Sequence, residues 1–155
     1  MIFSAKEDVN VPIDHVFAMM TEFETFERAA LRRGIEVERR DMLPATGEGM
    51  EWDVTFDYRG KLREGRLTLT EFDAPNVLRF KMDGQGLGGR VDIELVAMSR
   101  DRTRLSLELV LEAHTLSARL LLQSMKLART KLNKGFHTRV AGMATDLEER
   151  FRAIA

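Results

Sequence analysis

From Met50 to Tyr58 apolar and polar residues alternate without interruption: Met50, Trp52, Val54, Phe56 and Tyr58 against Glu51, Asp53, Thr55 and Asp57. A period of two predicts a strand with one apolar and one wet face. Arg59-Gly60 predicts a tight turn into a second strand over Lys61–Asp73, with apolar positions at Leu62, Leu67, Leu69 and Phe72. Apolar parity shifts between Leu62 and Leu67, and Gly65 between them predicts a β-bulge. After a turn at Ala74-Pro75-Asn76, Leu78, Phe80 and Met82 face one way, and a glycine-rich loop spans Gly84–Gly89. Val91, Ile93, Leu95 and Ala97 then alternate, and Ser99–Arg102 turns into Leu105, Leu107, Leu109 and Leu111. Strands joined this closely form an antiparallel meander, because parallel pairs need long crossovers.

The two ends of the chain follow other periods. Ile2–Val9 reads as a strand, and Asn10-Val11-Pro12 is a helix-start signal, since proline suits a first turn. Val16, Phe17 and Met20, then Phe23, Phe26 and Ala30, recur at helical spacing; Thr21-Glu22 breaks them into two short helices, and Gly34 stops the second. Thr115 is a suitable N-cap for one long helix running to Ala155. Its apolar stripe holds Leu121, Met125, Ala128, Leu132, Phe136, Val140, Met143, Leu147, Phe151 and Ile154, and only a sheet or a partner can cover such a stripe. Gly135 and Gly142 are places for a bend or a close backbone approach. This order predicts an α+β fold whose terminal helix lies across the concave side of a curved sheet. Such an arrangement encloses space, and space suggests a ligand.

Composition narrows the classes. A chain of 155 residues suits a single domain over 1–155. The absence of cysteine excludes disulfides and thiolate metal sites and suits a reducing compartment. The N-terminus lacks the basic leader and apolar core of a signal peptide, and no apolar run approaches the roughly 20 residues of a membrane span. The expectation is a cytoplasmic protein without integral membrane contact. Net charge is −1, a poor balance for nucleic-acid binding, but its distribution is uneven: residues 1–75 are acidic and residues 115–155 basic.

Several of these segments together resemble a known superfamily. Asp8-Val9-Asn10-Val11-Pro12 leading to Val16-Phe17 is similar to the strand-to-helix opening of the START-like helix-grip proteins, also called Bet v 1-like or SRPBCC. Gly47-Glu48-Gly49-Met50-Glu51-Trp52 resembles their entry to the third strand. Glu71-Phe72-Asp73-Ala74-Pro75-Asn76-Val77-Leu78 resembles their strand–turn–strand. Within the superfamily the chain looks most like the bacterial polyketide cyclase/dehydrase and lipid-transport group. The resemblance implies a seven-stranded antiparallel sheet wrapped around a long C-terminal helix, with two short helices after the first strand and an apolar cavity between sheet and helix. Members bind lipids, sterols, polyketides, quinones or plant hormones, and some catalyse cyclisations; the motifs are fold motifs and carry no catalytic set. Fold alone does not choose among these functions.

Candidate chemistry is sparse. The loop Gly84-Gln85-Gly86-Leu87-Gly88-Gly89 leads into a strand, whereas phosphate binding needs a helix N-terminus after such a loop; a flexible hairpin lid over a cavity mouth is the better reading. His15, His114 and His137 share no ligand spacing, so neither metal nor cofactor is expected; His114, at the helix entrance, is the one placed to titrate near a cavity rim. Glu51, Asp53 and Asp57 read as a solvated ladder paired with Lys61, Arg63 and Arg66 of the next strand. Arg129 falls within the apolar stripe of the terminal helix, where a guanidinium is costly unless paired. It reads either as an anchor for a ligand carboxylate or phosphate or as a snorkelling, salt-bridged side chain. Tyr58 and Thr68 or Thr70 are weaker candidates for hydrogen bonds in the cavity. The basic run Arg119–Arg139 could face anionic lipid, dock against the acidic half of the chain, or simply be solvated.

The reading favoured by these features is binding of a hydrophobic or amphipathic small molecule. Its lining would come from Trp52, Val54, Phe56, Tyr58, Leu67, Leu69, Phe80, Met82, Ile93, Leu95, Leu107 and Leu109 of the sheet, and from Leu121, Met125, Ala128, Arg129 and Leu132 of the helix. A filled core is the alternative for every apolar one of them. An enzyme of the cyclase/dehydrase kind needs a titratable group in the cavity; a protein-interaction module needs exposed apolar positions on the sheet's outer face, which reads as charged. A homodimer stays open, because no interface can be read from the pattern.

Overall fold

Tight turns fix the order of the sheet. In the computed structural model, which describes residues 1–155, β1 (Ile2–Val9) is followed by α1 (Ile13–Met20), α2 (Phe23–Arg32) and β2 (Glu36–Arg39). The meander β3 (Glu51–Tyr58), β4 (Lys61–Asp73), β5 (Val77–Gly84), β6 (Leu87–Ser99) and β7 (Arg102–Ala113) comes next, then α3 (Leu116–Leu127) and α4 (Arg129–Ile154). All seven strands pair antiparallel in the order β1-β7-β6-β5-β4-β3-β2. The α+β helix-grip architecture expected from the sequence is therefore present. No helix is long and apolar enough to cross a membrane.

Local rules account for the joints. Arg59 (φ 54°) and Gly60 (φ 72°) link β3 to β4, and Gln85 (φ 52°) and Gly86 (φ 79°) link β5 to β6. Two-residue turns with both central residues left-handed match the twist of the strands they join. At the end of α2, Gly34 is left-handed (φ 81°). Its N–H donates to the Leu31 carbonyl and that of Ile35 to the Ala30 carbonyl, each at 3.0 Å, which satisfies the last carbonyls of the helix. Thr115 caps α3 as expected, its hydroxyl oxygen accepting from the Ala118 N–H at 3.1 Å.

Three expectations need correction. The strand β4 pairs with β3 in unbroken register through Gly65; the register shift lies instead between Leu69 and Glu71, against β5. Leu62 is simply an exposed apolar residue on the outer face, so the shift of apolar parity near Gly65 had no geometric counterpart. The terminal helix is also not continuous. At Ala128 (φ −105°, ψ 19°) the chain makes a tight turn, the Ala128 N–H bonding to the Met125 carbonyl at 3.0 Å. No Pro or Gly marks this break. It occurs where α3, seated on β7 through Ala118 and Leu122, gives way to α4, which crosses to β1. Gly135 and Gly142 lie inside the uninterrupted run of α4 and admit no close neighbour, since a Cβ at either would meet nothing within 4 Å.

The concave face divides into a packed end and an open end. Val9, Leu69, Leu78, Leu95 and Leu105 are buried at one end beneath Val16, Phe17 and Met20 of α1 and Val140, Ala144 and Leu147 of α4. Towards the other end the packing thins. Along β4, Leu69 is fully buried, Leu67 is half-buried, Gly65 has no side chain and Arg63 is charged. Only 24 of 155 residues are buried, so the helices do not fill the whole curve of the sheet.

Candidate functional site

The unfilled region is two adjoining chambers on the concave face. The first, about 320 Å³, lies under α3 and is lined by Val54, Phe56, Leu67, Met82, Leu87, Leu111, Ala118 and Leu121, with a polar rim that includes Lys61, Arg63 and Gln85. The second, about 360 Å³, lies under α2 and is apolar at fourteen of its fifteen lining residues. Val54 and Leu67 line both. Volumes of this order are those of small-molecule sites.

Each chamber exists for a reason found in the chain. Val54 pairs with Gly65 across β3 and β4, so no side chain rises opposite it. Gly84 and Gly89 keep the floor thin: a Cβ on Gly84 would collide with the Glu64 carbonyl oxygen, and one on Gly89 with that of Val110. Over the second chamber, α2 presents Phe23, Phe26, Glu27 and Ala30. Their spacing puts them on one helical face, yet no α2 residue is fully buried, because the face overhangs the chamber and does not seat on the sheet.

Glu27 is the sole polar residue of the second chamber. Its Oε1 accepts the indole N–H of Trp52, the chain's single tryptophan, at 2.8 Å. Phe23 packs edge-on against Trp52 at 5.3 Å between ring centroids. Glu27 had no place among the residues expected from the sequence, although it falls at i+4 from Phe23 within an otherwise apolar helix face. A charged residue inside an apolar stripe was the available signal, and it singled out Arg129 instead.

Arg129 is corrected by the structure. It is exposed at the first turn of α4 and makes no ion pair or side-chain hydrogen bond. The break at Ala128 moves it out of the stripe projected for a continuous helix. The cations on the concave side are Arg63 and Lys61, which the sequence pattern assigned to the solvated ladder. Arg63 pairs with Phe56 across the strands, and so shares the inward face of Val54 and Leu67. The outer ladder forms without it: Arg66 and Arg40 both meet Asp53, and Arg79 meets Glu71 at 2.5 Å. The guanidinium of Arg40 holds the Asp53 carboxyl below its ordinary pKa. Arg59, Lys61 and Arg63, around the β3–β4 turn, have no carboxylate within 4 Å, in contrast to their neighbours.

The remaining expected residues separate into three groups. Trp52, Val54, Phe56, Leu67, Phe80, Met82, Ile93, Leu107 and Leu121 line one or both chambers. Leu69 and Leu95 belong to the packed end and are buried. Tyr58, Leu109, Met125, Ala128 and Leu132 are half-buried and line neither chamber; Tyr58 instead lies beneath the guanidinium groups of Arg59 and Arg63. Met20, Phe23, Phe26, Val37, Leu78, Val91 and Met143 line the second chamber without having been expected there, since periodicity gives a residue's face but not what lies opposite it. Thr68 sits on the outer face opposite Glu51, and Thr70 donates to the Arg79 carbonyl at 3.1 Å beside the bulge.

One loop also differs from expectation. The β5–β6 turn is not a free lid: the Gly86 carbonyl accepts the His114 N–H at 2.7 Å, and a Cβ at Gly86 would collide with Thr115. Ahead of β3, Asp41 gathers Arg39 (2.8 Å) and the N–H groups of Leu43 (3.1 Å) and Glu51 (2.9 Å); the Arg39 guanidinium holds its carboxyl far below the usual range. No group of three or more His, Asp or Glu side chains is arranged to hold a metal ion.

No protein-family model matches the chain, and no curated protein matches it. Solved structures do. A protein from Thermus thermophilus is 18% identical, with a TM-score of 0.68 over 100% of this chain and 99% of the other. The Zhui aromatase/cyclase from Streptomyces sp. R1128 is 14% identical, with a TM-score of 0.68 over 100% and 98%. Ara h 8.0201 is 12% identical, with a TM-score of 0.57 over 88% and 96%. These likenesses show the fold, a helix-grip α+β fold shared along nearly the whole chain.

Proposed function

We propose that the chain, acting as one domain, binds a hydrophobic or amphipathic small molecule in the paired chambers, and so transports, sequesters or senses it. The observation that carries this reading is the second chamber, apolar at all but one lining residue and left open under an amphipathic helix. Burial of apolar ligand surface would supply the affinity, about 25 cal/mol per Å², and the Glu27 carboxylate, already fixed by Trp52, would orient the ligand through its remaining lone pairs. The cysteine-free chain suits a reducing compartment, and the cytoplasm is the site of action in this reading.

The test uses N-phenyl-1-naphthylamine, a neutral apolar dye, with native mass spectrometry of the purified protein alongside. Saturable dye fluorescence at one equivalent, with quenching of Trp52 emission as the dye enters, is the expected result. A dye that neither binds nor perturbs Trp52, together with a bare protein mass, would reject a ligand cavity.

A second reading, an enzyme of the cyclase kind, is favoured by one observation: a carboxylate lies inside the apolar space, where acid–base chemistry on a bound ligand would need it. The chain shares its fold with the Streptomyces aromatase/cyclase. Under that reading Glu27→Gln binds ligand normally and turns none over; under simple binding there is no turnover to lose.

A further inference from the structure

The two ends of the cavity differ in chemistry. The chamber under α2 is apolar apart from Glu27, whereas the chamber under α3 carries Lys61 and Arg63 in its polar rim. Arg63 is half-buried on the inward face, a setting in which a guanidinium normally has a carboxylate partner. It has none. Its Nε–H reaches only the Tyr58 carbonyl, at a long 3.4 Å, and its guanidinium carbon stands 5.7 Å from the centre of the Tyr58 ring. Two carboxylates do line the same chamber. Asp83 is paired with Lys81 at 3.4 Å, and Glu64 lies on the opposite face of β4, across from Thr55. On the outer face of the sheet Arg66, Arg79, Arg90 and Arg104 are each paired with acids, whereas Arg63 on the inward face is not.

We propose that Arg63, assisted by Lys61, is the head-group site for a single-chain amphiphile bearing an oxyanion, a carboxylate or a phosphate monoester. Its chain passes between Val54 and Leu67 into the second chamber. This deepens the binding function proposed above and rests on it. The planar fork of arginine takes two oxygens of such a group at once, and Tyr58 beneath the guanidinium holds the fork while leaving its NH₂ groups free. The chemistry of the lining also sets the order of the ligand: the anion stays beside Lys61 and Arg63, and the apolar chain extends into the apolar chamber under α2.

The test is displacement of N-phenyl-1-naphthylamine by three ligands with the same twelve-carbon chain: dodecanoate, dodecyl phosphate and dodecan-1-ol. Wild-type protein is expected to prefer at least one anion to the alcohol by about 10-fold or more, the scale of a charge-assisted hydrogen bond, and the better anion identifies the head group. In Arg63→Gln that preference falls to within about 2-fold while dodecan-1-ol displaces as before. Arg63→Met, which keeps the apolar stem, does the same and guards against misfolding of either single variant; thermal melting checks both. Equal displacement by anions and alcohol in the wild type overturns the head-group site while leaving the apolar cavity standing. A preference that survives in both folded variants overturns the role of Arg63. If the dye itself does not bind, the binding function falls, and this proposal with it.

Discussion

At the scale of single residues, the chambers make different demands on the side chains around them. Trp52 is 3% exposed, so its indole N–H must be paired within the protein, and Glu27 is its partner. Glu27→Leu strands that donor, and a loss of about 1–3 kcal/mol is expected in urea unfolding; Glu27→Gln keeps an acceptor oxygen and is expected to lose less than about 1 kcal/mol. Equal losses in the two variants would show that the charge of Glu27, and not the hydrogen bond, matters there. Val54 stands where the chambers meet, opposite the missing side chain of Gly65. A filled core would object to Val54→Phe by about 1–3 kcal/mol. Here the ring enters open space, so stability should be unchanged or higher while dye binding is lost. These positions were legible in part. Trp52 and Val54 follow from strict alternation, whereas Glu27 needed the helical wheel of the second helix, and Arg63 needed the register that alone shows it inward.

At the scale of elements, glycines separate positions where a side chain is forbidden from those where it is merely absent. Gly135 and Gly142 lie on the exposed side of α4, with nothing within 4 Å of where a methyl group would sit. Gly135→Ala and Gly142→Ala should each stabilise the protein by about 0.4–1 kcal/mol, through the entropy of the unfolded chain, read as a rise in urea midpoint at constant slope. Gly84→Ala and Gly89→Ala press a methyl group into the carbonyl of a neighbouring strand, and each is expected to cost about 1–3 kcal/mol. A neutral Gly84→Ala would show that the sheet yields at that contact. From sequence all four are equally permissive residues. The sign of each substitution depends on what another element brings to within a few ångströms. The terminal helix teaches the same lesson: its stripe reads as continuous, but α3 and α4 answer to different strands, and the chain turns at Ala128 with no breaking residue.

At the scale of the whole molecule, β1 closes against β7, joining the start of the chain to the end of its meander. Asp8 secures that seam by accepting from Arg102 (2.5 Å) and Arg104 (2.9 Å). The side-chain hydrogen bond from Arg104, followed by that from Arg102, lowers the Asp8 pKa from 3.8 to about 2. The folded form therefore binds fewer protons than the unfolded chain between those values. The stabilisation is fully present above about pH 4 and is lost as pH falls towards 2. Asp8→Asn should accordingly melt below the wild type at pH 6, and the gap should close across that window; a gap independent of pH would assign the effect to packing. The chain's own pattern determined the first strand, the five-strand meander and its antiparallel succession, the two short helices, the caps at Gly34 and Thr115, and the inward face of the alternating strands, because backbone sterics and period-two or period-3.6 burial act over a few neighbours. Only the tertiary structure decided which of those inward residues meet a partner and which meet space, where the last helix breaks, and that Arg63 and Lys61 rather than Arg129 stand at the cavity, because these depend on the separation of surfaces brought together from distant parts of the chain.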